Sequence, residues 1–134
     1  MRVILWAAMA AVFFLSQTPL PAAKDTKVGS KAFTESVILG EIISHLVRQA
    51  GGDAVHHRQL GGTRILWEAL KAGEIDVYPE YTGTLTNEIL AGEGLETEKE
   101  RKAFLDSLGI RLGGVLGFNN TYAIAVLEST AKRR

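Results

Sequence analysis

Lys31, Tyr81 and Thr84 are the residues whose types and spacing could meet a small ligand. Lys31 closes "GSK" at 29–31, between a short extended piece and a helix N-terminus. Free backbone N–H groups at such a point suit a small anion. The upstream glycine of a phosphate loop is absent, so what remains is a general anion site. A solvated lysine beside a turn is the plain alternative. In "DVYPEYTGTLTNEIL", Tyr78 and Tyr81 are three residues apart. Side chains at that spacing fall on opposite faces of an extended chain. Tyr81 directly precedes the Thr82-Gly83-Thr84 turn at the C-terminal end of its strand. Ligands of open α/β sheets bind outside the carboxyl ends of the strands. Tyr81 therefore reads as the ligand residue and Tyr78 as a packing residue.

Other chemistry is poorly supported. His56 and His57 are neighbours in a predicted strand and point to opposite faces, while His45 lies on a separate helix. They read as solvated or edge histidines, and no metal site is expected. Glu74, Asp76 and Glu80 could suggest the paired carboxylates of a glycosidase, but surface or capping roles fit them better. "LGGT" at 60–63 is a tight glycine turn opening a helix and, alone, a weak signal. No catalytic residue and no cofactor is expected.

These residues need elements to hold them. Thr26–Gly29 reads as a strand. Thr34 then caps a helix running to Ala50, with Glu35 in its first turn and Val37, Ile38, Ile42, Leu46 and Val47 at helical spacing. Gly51 and Gly52 stop it. "DAVHHRQL" is a second strand, Arg64–Ala72 a second helix, and "EIDVYPEY" a third extended piece that Pro79 weakens. Helices are predicted over Thr84–Leu90 and over Glu98–Leu108, the latter with Ala103, Phe104 and Leu108 on one side. "IRLGGVLGF" and "TYAIAVL" read as two final strands. Strands alternating with helices predict an α/β domain with a largely parallel sheet.

Composition narrows the class. Fifteen basic and fifteen acidic residues cancel with no basic stripe, which argues against nucleic acid, and the chain has no cysteine. At the N-terminus, Arg2 precedes an apolar run from Val3 to Leu15, followed by small residues and two prolines. The run falls short of the about 20 residues that span a bilayer and matches a secretory signal, cut after Ala22 or Ala23. An uncleaved anchor is the alternative. Residues 1–23 are thus expected to be a signal peptide that sends the remainder to a Gram-negative periplasm.

Three blocks carry a resemblance: "VGSKAFTESVILGEI", "QLGGTRILWEALKAGEIDVYPEYTGTLTNEIL" and "LGFNNTYAIAV". Together they resemble the substrate-binding proteins of glycine betaine/choline ABC transporters, which import osmoprotectants. The resemblance implies a type II periplasmic-binding-protein fold, in which two α/β lobes close on a ligand. It implies a non-enzymatic receptor that hands a quaternary ammonium compound to an inner-membrane permease. Such a group has no N–H to donate, so aromatic faces recognise it better than ion pairs do. By resemblance, Tyr81 would form one cage wall and Tyr122, in "FNNTY", a second. Lys31 would meet the ligand carboxylate and Thr84 would hydrogen-bond it. Family members are much longer, and this chain stops soon after Tyr122. The resemblance therefore covers the first lobe only, with residues 24–134 an incomplete N-terminal α/β lobe of a truncated form. The alternative is a non-functional or regulatory fragment that docks on a permease without binding ligand.

Overall fold

A computed structural model describes residues 24–120 and 125–132. The expected signal peptide and Tyr122 lie outside the described residues. Two strands, β1 (Thr26–Lys31) and β2 (Ala54–Gly61), pair in parallel, with Thr26 opposite Ala54 and Gly29 opposite His57. Parallel neighbours need a long crossover, and helix α1 (Thr34–Gln49) supplies it. The register slips between Gly29 and Lys31, where Gln59 takes a left-handed backbone (φ 54°). β1 runs two residues further than expected, so Lys31 belongs to the strand itself.

The third extended piece contributes one bridge to the free side of β1, Val28 to Val77 in parallel. Gly29 N donates to Val77 O at 2.8 Å and Asp76 N to Lys27 O at 2.8 Å. Pro79 follows at once and has no N–H for further pairing. β1 is thereby flanked on both sides, and Val28 is fully buried. The mixed α/β, parallel architecture is as expected. The first of the two final strands is not formed: residues 110–118 pair with no strand among the described residues. Leu112, Val115, Leu116 and Phe118 there are exposed. An apolar segment makes a strand only where a sheet takes its backbone bonds and its apolar face, and among the described residues no sheet pairs with this one. Of "TYAIAVL", residues 121–124 lie outside the described residues and 125–127 are irregular.

α1 packs in a way its hydrophobic spacing does not suggest. Its buried residues are Ser36, Gly40 and Ser44, while Ile38, Ile42 and Leu46 are exposed. Small residues four apart let the helix lie close to the sheet. A Cβ on Gly40 would come within 2.4 Å of the His56 ring. Thr34 is the first helical residue; Phe33 occupies the cap position and makes no side-chain cap bond.

The remaining helices hold two small cores. α2 (Thr63–Lys71) puts Leu66 and Ala69 against Ile75, with Tyr78 packed on them, as expected for that tyrosine. Its opposite side places Trp67 with Ile89, Leu90 and Leu105. The stretch after Tyr81 starts earlier than expected, as a short turn α3 (Thr82–Thr84) that widens into a π-helical segment, Leu85–Ile89. α4 (Glu98–Ser107) begins with a capping box: Glu100 N donates to Thr97 Oγ1, and Thr97 N donates to Glu100 Oε2. These bonds hold the Glu100 carboxyl below its ordinary range. Leu105 is its buried residue, with Phe104 half-buried beside it, whereas Ala103 and Leu108 face outward. A last turn, α5, spans Glu128–Ala131.

The Gly40 contact is testable. Alanine in a helix interior is worth about 1 kcal/mol over glycine, but forcing a methyl into a packed contact costs about 1–3 kcal/mol. His56 is held at both ring nitrogens and cannot swing aside easily. Gly40→Ala should therefore lower the free energy of urea unfolding, by about 1–2 kcal/mol. An unchanged or raised value would overturn the close-packed seam.

Candidate functional site

Lys31 ends β1 almost wholly enclosed, 4% exposed. A buried ammonium is costly unless it is paired and hydrogen-bonded. Lys31 Nζ donates to Glu80 Oε1 at 2.5 Å and to Thr63 Oγ1 at 3.1 Å. Its backbone N–H donates to Ser36 Oγ at 2.8 Å, which ties the strand end to the first turn of α1. Glu80 is thus neither a surface nor a capping carboxylate in the expected sense. It is largely buried because it neutralises Lys31. Its Oε1 also accepts the Tyr81 N–H at 2.8 Å, and its Oε2 is buried with no hydrogen-bond partner among the described residues. Asp76 caps no helix either; its carboxylate accepts the N–H of Lys27 in β1 at 2.7 Å.

Tyr81 stands directly above this pair. Lys31 Nζ lies 5.7 Å from its ring centroid, and the Phe33 ring lies 6.2 Å away at an interplanar angle of 32°. The phenol O–H donates to Glu35 Oε1 at 2.6 Å, and Asn120 Nδ2 donates to the same oxygen at 3.2 Å. Burial first, then the bond to Glu35, pushes the Tyr81 phenol above its ordinary value. Burial and the Glu80 charge raise Tyr78 likewise. Thr84, half-buried, ends α3 three residues beyond Tyr81.

Of the four residues singled out in the sequence, Lys31 and Tyr81 are brought together. Thr84 follows on the adjoining turn, and Tyr122 lies outside the described residues. Glu35, Phe33, Thr63 and Glu80 join them without having been singled out for the site. Glu35 had a sequence signal, a carboxylate in the first turn of a helix starting just after Lys31. That position reads equally well as a helix-dipole partner.

A second polar cluster lies beneath the sheet. His56, expected to be solvated or at an edge, is enclosed: one ring nitrogen meets Ser30 Oγ at 2.9 Å and the other Glu41 Oε1 at 3.0 Å. Arg58 also binds the Glu41 oxygen, and His56 foremost, then Arg58, hold that carboxyl below its ordinary range. The order Ser–His–Glu matches that of hydrolase triads, but Ser30 is fully buried and its Oγ also accepts the Gln59 N–H. No substrate reaches it, and the cluster ties β1, β2 and α1 together. Among the described residues no group of histidines and carboxylates could hold a metal ion, and no helix is long and apolar enough to cross a membrane. An open groove lined by Lys102, Asp106, Gly109, Arg111 and Leu112 shares no residue with the Lys31–Tyr81 cluster.

Comparison with known proteins identifies the family of the chain as a whole. Residues 24–134 match the family model described as the substrate-binding domain of ABC-type glycine betaine transport systems. The chain belongs to that family. It is 35% identical over 136 residues to the glycine betaine-binding protein YehZ of Escherichia coli K12, covering 96% of this chain and 45% of YehZ. It is 31% identical over 132 residues to the carnitine transport binding protein OpuCC of Listeria monocytogenes, covering 90% of this chain and 43% of OpuCC. The structure of apo YehZ from Escherichia coli superposes with a TM-score of 0.54 at 31% identity, over 63% of this chain and 32% of YehZ. The fold is therefore one lobe of the type II periplasmic-binding-protein architecture, and the family is one of transport receptors. The chain spans less than half the length of these relatives.

Two measurements probe the site's electrostatics. Removing one partner of a buried ion pair strands the other, at a cost of about 3–5 kcal/mol. Lys31→Met and Glu80→Gln should each destabilise strongly, and the double variant by clearly less than their sum. Additive losses in urea unfolding would show the pair uncoupled. The raised phenols also set an alkaline limit. Their folded pKa values lie above the unfolded value of about 10, so the folded state holds these protons more tightly. The stability they contribute is complete below about pH 10 and is lost as pH rises through the folded values. Tyr78→Phe should flatten that alkaline decline, and an unchanged slope would contradict the assignment.

Proposed function

We propose that this chain is the first lobe of a periplasmic receptor for glycine betaine, choline or a related quaternary ammonium compound, which it delivers to an ABC permease of the inner membrane. On this reading residues 1–23 direct export and residues 24–134 form the binding lobe. The observation that carries it is the Tyr81 ring, which already has a cation over its face and carboxylates at Glu35 and Glu80 beside it. An aromatic face attracts a trimethylammonium group by about 0.5–2 kcal/mol. Glycine betaine and carnitine, named for YehZ and OpuCC, share that group.

Tyr81 forms one wall of the cage and Tyr122 a second. Thr84 offers its hydroxyl to the ligand carboxylate. Lys31 carries three donors, and Glu80 and Thr63 take two, which leaves a third for the same carboxylate. Choline lacks that carboxylate and would use the aromatic part of the site alone.

Isothermal titration of the chain with glycine betaine, choline and carnitine tests the assignment. At least one should bind, and Tyr81→Ala should weaken that binding roughly 2- to 30-fold, the equivalent of one lost cation–π contact. Tyr81→Phe, which keeps the ring, should lose less. Absence of binding to all three compounds would sink the ligand assignment.

A further inference from the structure

We propose that Glu35 is a positioning residue that fixes the orientation of the Tyr81 ring, an inference that deepens the binding reading above and rests on it for its ligand. The ring is held at three points. Its backbone N–H is anchored on Glu80 Oε1, its face packs beside Phe33, and its hydroxyl donates to Glu35 Oε1 at 2.6 Å. The first two leave the tip of the ring free to swing. The third sets its direction, and an O–H bond to an ionised acceptor is short and stronger than a neutral one.

Glu35 is itself well supported. It sits in the first turn of α1, between Phe33, which touches the ring, and Ser36, whose hydroxyl accepts the Lys31 N–H. The Asn120 side chain donates to the same Glu35 oxygen, so the carboxylate joins the α1 turn, the Tyr81 turn and the segment at 120. A carboxylate serving only the helix dipole would need no bond to Tyr81, and its loss would be felt equally whether or not residue 81 carried a hydroxyl.

The test combines a double-mutant cycle with a readout that needs no ligand. In titrations of the full chain with the tightest-binding of glycine betaine, choline and carnitine, Glu35→Ala should weaken binding about tenfold, as expected for losing a hydrogen bond to a charged group. Glu35→Gln, which keeps an acceptor, should retain most of the affinity. In a Tyr81→Phe background Glu35→Ala should add no more than about a twofold loss, since the bond it removes is already absent. A loss that multiplies in full in that background would overturn the proposal. The chain has three tyrosines, so carbon-13 labelling of the phenol carbon yields three resonances, with Tyr81 assigned by Tyr81→Phe. In unliganded Glu35→Ala the Tyr81 resonance should shift and titrate at lower pH, while Glu41→Ala leaves it in place. An unmoved Tyr81 resonance would also overturn the proposal. Should the wild type bind none of the three compounds, the ligand reading falls, and the resonance alone decides whether Glu35 orients the ring.

Discussion

A lysine ammonium buried at the end of a strand is the constraint on which the rest of the site depends. Removing that charge from water is tolerable only because Glu80 stands 2.5 Å away and Thr63 takes a second donor. Meeting that requirement brings three distant segments together: the end of β1, the first residue of α2, and the end of the third extended piece. Tyr81 follows Glu80 in the chain, and its own N–H is anchored on the same carboxylate oxygen. The position of the aromatic ring is thus a by-product of neutralising the lysine.

The two polar clusters divide the work. Ser30, His56, Glu41 and Arg58 tie the sheet to α1 from below, with Ser30 and the His56 ring enclosed and Arg58 at the surface. Lys31, Glu80, Tyr81 and Glu35 occupy the ends of the same elements, where Phe33 and Tyr81 retain exposed surface. Neighbouring positions on β1 thus serve opposite purposes. Ser30 turns inward to the His56 ring, while Lys31 turns to the end that carries Glu80 and Tyr81.

Local signals were legible where chain chemistry alone decides the outcome. The helix of α1, the stop at Gly51, the parallel pairing of the first two strands, the weakening by Pro79 and the packing role of Tyr78 follow from spacing and turn residues. What was not legible depends on partners distant in the chain. His56 looked like a surface residue because nothing nearby in sequence shows that Ser30 and Glu41 will enclose it. Glu80 looked like a solvated carboxylate for the same reason, its partner being 49 positions away. The apolar stripe of α1 misled in the opposite direction. Helical spacing identifies a helix but does not say which stripe is buried, and here close approach to the sheet selected the serines and glycine. The glycine-rich stretch from Ile110 reads like a strand but pairs with no sheet among the described residues.

The glycine under the His56 ring has a mechanical consequence. Along the buried seam of α1 the residues one turn to either side of Gly40 are Ser36 and Ser44, both fully enclosed. Sliding the helix by one turn, about 5.4 Å, would press a serine side chain into the space that only a hydrogen fills. The imidazole therefore acts as a pawl in a ratchet, blocking travel of α1 along the sheet in either direction. Any rearrangement at the Tyr81 end must come from tilting or from the turns themselves, while the rod that carries Glu35 keeps its height.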